Sequence, residues 1–269
     1  MAIEFPQEIV DEIVDRLADD KATRAASLQD CSLVSQKWLH RSQKHLFHKM
    51  WFTNTGFSKW CEEIRPGDDG PSPHVIVLHY HANFTEAGRL AKHHIHLSSF
   101  INLQKLHLRA TPIHGFTDEE LSLCFKQIGR TVRSVSLRAC KMTINDLVSF
   151  VSHFVKLERL SLIDPIVYNS ILEDALESPV LSGVLELRYM FVGREIWAFI
   201  HQLSLLPLEF HTLVLEGIHI SLLVPINELL AACHETLTRV DIRDRASKNL
   251  CIIIGADLLL KHFRFRQEY

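Results

Sequence analysis

Through the middle and C-terminal parts of the chain, apolar positions follow a short recurring pattern, L-x-x-L-x-L. It runs through Leu103, Leu106 and Leu108, then Val132, Val135 and Leu137, then Leu157, Leu160 and Leu162. It returns at Phe210, Leu213 and Leu215 and at Leu237, Val240 and Ile242, with a weaker copy at Leu185 and Leu187 preceded by Ser182. The central positions, 106, 135, 160, 185, 213 and 240, are separated by 29, 25, 25, 28 and 27 residues. Alternation over each copy predicts a strand, and between copies the apolar spacing shifts to a helical period. Thr117 to Glu120 and Thr143 to Asp146 read as capping boxes that open helices. Further helices are predicted at about Ser170 to Leu176, Arg194 to Leu203 and Pro225 to Cys233, and a degenerate earlier strand at Val75 and Val77.

The spacing matches that of leucine-rich repeats, roughly 20 to 29 residues per unit. A unit of strand, turn, helix and return has an apolar flank it cannot bury alone, so neighbours stack and share one core. The fold class expected is therefore an α/β solenoid, a leucine-rich-repeat horseshoe of parallel strands and helices. Leu137 through Cys140 to Asp146 resembles the cysteine-containing subclass of such repeats, as does Ala232 to Leu237. There the resemblance implies a buried structural cysteine. Asn249 to Phe265 is apolar and breaks the pattern, which reads as a truncated or atypically capped end.

The first fifty residues carry a dense helical pattern and no repeat. Pro6 suits a first-turn position, and Ile9, Ile13, Val14 and Leu17 form an apolar stripe. A second helix start falls at Ser27 with Asp30 three residues on, and a third helical piece runs from Trp38 to Phe47. Phe5 to Val14, Leu17, Cys31 to Trp38 and Leu46-Phe47, in that order, resemble an F-box, with Phe5 where the family usually has leucine. F-box followed by irregular leucine-rich repeats is similar to the many F-box proteins of mushroom-forming fungi. The resemblance implies a substrate-recognition adaptor of an SCF-type ubiquitin ligase. Its F-box would bind a Skp-family adaptor, and through it a cullin-RING ligase, and its repeats a protein substrate. Phe5, Pro6, Ile9, Ile13, Leu33 and Val34 would meet the adaptor, with Leu17 and Trp38 internal. A helical module of this size encloses little core and needs a partner, which agrees. The alternative is a leucine-rich-repeat scaffold or receptor with no ligase role.

The expected organisation is a docking module over 1–50, a helix and a Pro/Gly-rich linker over 51–73, and repeats over 74–269. Lys plus Arg total 29 against 32 for Asp plus Glu, so no global field favours nucleic acid or a membrane. No signal-peptide pattern opens the chain, and the run Leu250 to Phe263 is too short and too charged for the roughly 20 residues of a membrane helix. A cytoplasmic or nuclear location follows, with the cysteines as thiols. His79, His81, His93, His94 and His96 suggest a metal, but no cysteine or carboxylate completes a ligand pattern, so neither metal nor other cofactor is expected. The nucleophile, phosphate-loop and zinc-protease motifs are missing, which argues against an enzyme.

In L-x-x-L-x-L the residues flanking the inward ones share the exposed strand face. The last outward position reads Arg109, Arg138, Ile163, Arg188, Glu216 and Arg243, and an earlier one adds Lys105, Arg159 and Arg239. Glu158, Glu186 and Asp241 stand near enough to neutralise part of this stripe. The cations are the candidate substrate-binding residues, suited to an acidic or phosphorylated segment because guanidinium forks pair bidentately with carboxylate and phosphate.

Overall fold

The computed structural model describes residues 5–20, 24–64, 71–82, 94–113, 119–168, 179–191, 193–243 and 262–265. The chain opens with three helices, α1 (Gln7–Asp19), α2 (Arg24–Ser32) and α3 (Gln36–Leu46). A strand β1 (Lys49–Thr53) and helix α4 (Asn54–Glu63) follow, then a single 3-10 turn, Ser72–His74, and β2 (Val77–His81). Next come α5 (His94–Ser98), β3 (Lys105–Arg109), α6 (Glu119–Ile128), β4 (Ser134–Arg138), β5 (Lys141–Met142) and α7 (Ile144–Val151). The chain continues with β6 (Arg159–Ile163), β7 (Ile166–Val167), β8 (Leu181–Arg188), α8 (Arg194–Ser204) and β9 (Leu208–Glu216). Last come a 3-10 turn Ile220–Leu222, α9 (Leu223–Ala232), β10 (Arg239–Arg243) and β11 (His262–Phe265).

Among the described residues, nine strands form one parallel sheet in the order β1, β2, β3, β4, β6, β8, β9, β10, β11, and β5 pairs with β7 beside it. This is an α/β fold in which each strand of the main sheet pairs only with its neighbours in chain order. The register aligns the apolar pattern from strand to strand. Leu106 stands beside Val135, then Leu160, Leu185, Leu213 and Val240. All six are at most 2% exposed and belong to one core with Phe125, Leu147, Phe199 and Leu229 from the helices. The helices therefore cover one face of the sheet, and the residues alternating with these leucines line the other.

Local chemistry explains several element boundaries. Thr143 and Asp146 make the reciprocal capping box at the start of α7, with Thr143 N–H donating to the Asp146 carboxylate at 2.8 Å and Asp146 N–H to Thr143 Oγ1 at 3.1 Å. After β3, β4, β6, β8 and β9 the next residue turns the chain with positive φ, at Ala110 (51°), Ala139 (49°), Asp164 (49°), Tyr189 (53°) and Gly217 (61°). The first four still donate N–H to the strand beside them at 2.7 to 2.9 Å, so each corner prolongs the ladder by one bond. Phe125, Phe150 and Phe154 meet edge to face behind β3 and β4.

The structure departs from the sequence expectations in four places. Lys49–Thr53, at the boundary between the expected docking module and linker, is the first strand of the sheet. In the next strand the inward residues are Leu78 and Tyr80, aligned with Leu106 and Leu108, and Val77 faces outward. Buried Val75 belongs to the approach to that strand. The second helix starts at Arg24 and not at Ser27, which lies inside it. Residues 262–265, in the segment read as breaking the pattern, pair with β10 as a further parallel strand. Thr117 and Asp118 of the capping box at 117–120, the helix at 170–176, His93 and most of the segments 65–73 and 249–265 lie outside the described residues. Among the described residues no helix is long and apolar enough to cross a membrane.

Candidate functional site

Two surfaces collect the residues singled out from the sequence. The first is on the three-helix unit, whose own small core consists of Val10, Val14, Ala18 and Leu28 with Leu17, Trp38 and Leu46 against it. A helix that buries positions 10 and 14 turns positions 9 and 13 away, and Ile9 and Ile13 are exposed together with Phe5 and Pro6 at the helix start. Leu33 and Val34, in the turn between α2 and α3, are 84% and 64% exposed. The amide of Gln7 donates to the Lys37 carbonyl at 3.4 Å, holding the start of α1 beside the segment that carries Leu33 and Val34. At the other end Arg41 grips the Asp15 carboxylate through Nε at 2.7 Å and a terminal nitrogen at 2.5 Å, and His45 adds a 2.7 Å contact. The Arg41 bond holds the Asp15 carboxyl well below the usual carboxylate range. These links fix the angle between α1 and α3 while leaving the apolar side chains uncovered.

The second surface is the face of the sheet opposite the helices, organised in three rows by the register, the middle row being buried from Ser136 to Asp241. One row runs Lys49, Val77, Lys105, Ser134, Arg159, Val184, Thr212, Arg239. The middle row runs Trp51, His79, His107, Ser136, Ser161, Glu186, Val214, Asp241, and the third Thr53, His81, Arg109, Arg138, Ile163, Arg188, Glu216, Arg243. All seven predicted substrate-binding cations therefore share this face, but they divide into two groups. Arg159 and Arg188 pair with Glu186 at 3.0 and 3.2 Å, Arg188 also with Glu216 at 3.4 Å, and Arg239 and Arg243 with Asp241 at 2.5 and 3.9 Å. Glu186 is 5% exposed and also accepts a 2.6 Å hydrogen bond from Ser161 Oγ. Lys105, Arg109 and Arg138 make no ion pair among the described residues and are exposed.

Beside these free cations lies an aromatic stack that the sequence reading missed. Trp51 lies on His79 with ring centroids 3.7 Å apart and planes 4° apart, and His79 on His107 at 4.3 Å and 5°. Lys49 folds its ammonium over the Trp51 ring at 4.9 Å. Burial, followed by the neighbouring His107 and Lys49, pushes the His79 imidazole down to about 4, and burial likewise lowers His107. Both rings are neutral at physiological pH. The signal for the stack was present in the alternation of Lys49, Trp51 and Thr53 with Met50 and Phe52, hidden because no L-x-x-L-x-L frames it. A hollow of about 480 Å³ opens over Trp51, His79, His107, Ser136, Arg109 and Arg138. A broader one of about 980 Å³ extends it over Ser161, Arg159 and Glu186.

Among the described residues no group of three His, Cys, Asp or Glu side chains is placed to hold a metal ion. Cys140 and Cys233 are buried, and burial pushes their thiols up to about 12 and about 11. Cys140 Sγ donates to the carbonyls of Leu108 and Arg138 at 3.5 Å, which ties β4 to β3. Compared with family models and with curated proteins, the chain matches none of them.

Proposed function

We propose that this chain is a substrate-recognition subunit of an SCF-type ubiquitin ligase. Its three N-terminal helices act as an F-box that docks a Skp-family adaptor, and its strand-and-helix units act as leucine-rich repeats that hold a protein substrate. The observation that carries the reading is the exposure of Phe5, Ile9, Ile13, Leu33 and Val34 on a helical unit whose own core is only a few side chains. Large apolar side chains concentrated this way on a small module mark a partner interface. Spacing of Phe5, Ile9 and Ile13 by four residues is that of a helix laid into a groove. The sheet face supplies a second, separate surface, so one protein can bridge adaptor and substrate. Such a subunit works in the cytoplasm or nucleus, where the adaptor and the cullin-RING ligase reside, and needs no cofactor of its own.

Co-expression with a Skp-family adaptor and capture on the adaptor's tag tests the docking. Wild type should co-purify, and Ile9→Asp should lose about a hundredfold or more in affinity because the interface would bury an unpaired charge. Equal capture of a folded Ile9→Asp protein overturns the docking claim. Absence of any capture of wild type leaves the other reading, a leucine-rich-repeat scaffold without a ligase.

A further inference from the structure

The ring stack on the sheet face stops abruptly. Trp51, His79 and His107 occupy three successive steps of the middle row, and the next two steps are Ser136 and Ser161, before Glu186. Adjacent strands are about 4.8 Å apart, wider than the 3.7 and 4.3 Å between the stacked ring centroids, so each step of the row can seat one ring. Ser136 is too small to fill its step. His107 and Ser136 line both hollows, which places open space on the side of the His107 ring that faces away from His79.

Charge on this half of the face is one-sided. The outward residues of β1 to β4 include Lys49, Lys105, Arg109 and Arg138 and no carboxylate, whereas those of β6 to β10 include Glu186, Glu216 and Asp241 against four arginines. Along one strand, Lys105, His107 and Arg109 are two residues apart, about 6.8 Å per interval. An extended peptide has the same two-residue interval on one of its faces.

We propose that the open step beside His107 receives an aromatic side chain from an extended acidic segment of a protein substrate. The ring stacks on His107 above Ser136, and carboxylates two residues to either side meet Arg109 with Arg138 and Lys105. This rests on the reading of the sheet face as a protein-recognition surface and gives it a substrate class. A nucleic acid fits less well, because its continuous phosphates would run on into Glu186, Glu216 and Asp241. Neutral His79 and His107 rings favour stacking with a neutral aromatic group, and the cations supply the attraction to its acidic neighbours.

The test is a fluorescence-anisotropy titration of the full chain with a labelled heptapeptide, Gly-Glu-Gly-Trp-Gly-Glu-Gly, and with versions carrying Ala for Trp or Gln for both Glu. Wild type should prefer the Trp peptide over the Ala peptide by about tenfold or more. It should also lose most binding of the Gln version. Ser136→His fills the step with the residue already tolerated at the same step on β2 and β3 and leaves every charge in place, so it should abolish the preference for Trp. His107→Ala removes the stacking surface and should do the same. Equal binding of the Trp and Ala peptides by wild type would overturn the proposal. So would an undiminished preference in folded Ser136→His or His107→Ala protein, or tighter binding of a single-stranded oligonucleotide than of the Trp peptide. Adaptor capture on the same samples separates the two readings. Capture without peptide binding defeats this inference alone, and peptide binding without capture defeats the ligase alone.

Discussion

Leu160 is 1% exposed, with Val135 on one side and Leu185 on the other in the sheet register. Truncating it to alanine removes buried methyl groups from the middle of the core, and denaturant melts of Leu160→Ala should show a loss of about 2 to 5 kcal/mol. A loss under about 0.5 kcal/mol would mean that the side chain is not in the core. The inward residues were legible in the sequence because each strand buries alternate side chains, and a repeated alternation marks the buried member without knowledge of its neighbours. Trp51 was not legible as a site residue, since what matters about it is which side chain stands on the adjacent strand, whereas Glu186 was legible as a partner for the cations. Acid sensitivity is a second residue-scale consequence. His79 titrates near 4 in the folded protein against about 6.5 in an unfolded chain, so between those values the unfolded state binds more protons. Stability from this histidine is therefore complete above about pH 6.5 and is lost as pH falls toward about 4. Asp15 acts in a lower window, contributing above about 3.9, the unfolded carboxyl value, and losing that contribution as pH falls further. Replacing His79 with phenylalanine keeps a ring in the stack but removes the titrating group. Melting temperatures of His79→Phe should change less than those of wild type between pH 6.5 and about 4.

At the scale of elements, the five positive-φ corners are the feature least visible beforehand. Glycine at 217 suits such a corner, and aspartate at 164 tolerates it, but Ala110, Ala139 and Tyr189 carry no signal of a left-handed backbone. They are held there because each sits between a fixed strand and the return to the helical side, and the ladder bond from the corner N–H repays part of the strain. Ala139→Gly should consequently be neutral or stabilising by up to about 1 kcal/mol in thermal melts, whereas the same change in the middle of a strand would destabilise. Gly183 gives the opposite case. It has φ of 91° at a shift of register in β8, and a Cβ there would come 2.2 Å from the Glu158 carbonyl oxygen. Gly183→Ala should destabilise by about 2 kcal/mol or more, measured in the same melts. The capping box at Thr143 was legible because its chemistry is contained within four residues. The start of α2 was not, because Ser27 with Asp30 imitates a cap inside a helix that begins at Arg24.

For the whole molecule, the seven aligned cations do not act as one stripe. Arg188 is clamped between Glu186 and Glu216, so Arg188→Glu would leave the buried Glu186 facing a like charge and should lower stability by about 2 kcal/mol or more. Arg138→Glu touches no ion pair among the described residues and should leave the melt nearly unchanged while weakening capture of an acidic substrate, more so at low salt than at physiological salt. Comparing melts and capture for the two variants separates structural from recognising arginines. Strand order has a consequence of another kind. Because β3, β4 and β6 are consecutive neighbours carrying matching inward residues, excision of 134–158 would join Arg133 to Arg159 and bring Leu106 and Leu108 against Leu160 and Leu162. The shortened chain is expected to melt cooperatively with Ser161 now next to His107. The length of the sheet is thus adjustable by whole strand-and-helix units, and gain or loss of one would redraw the outward face while the seam closes with the same leucines.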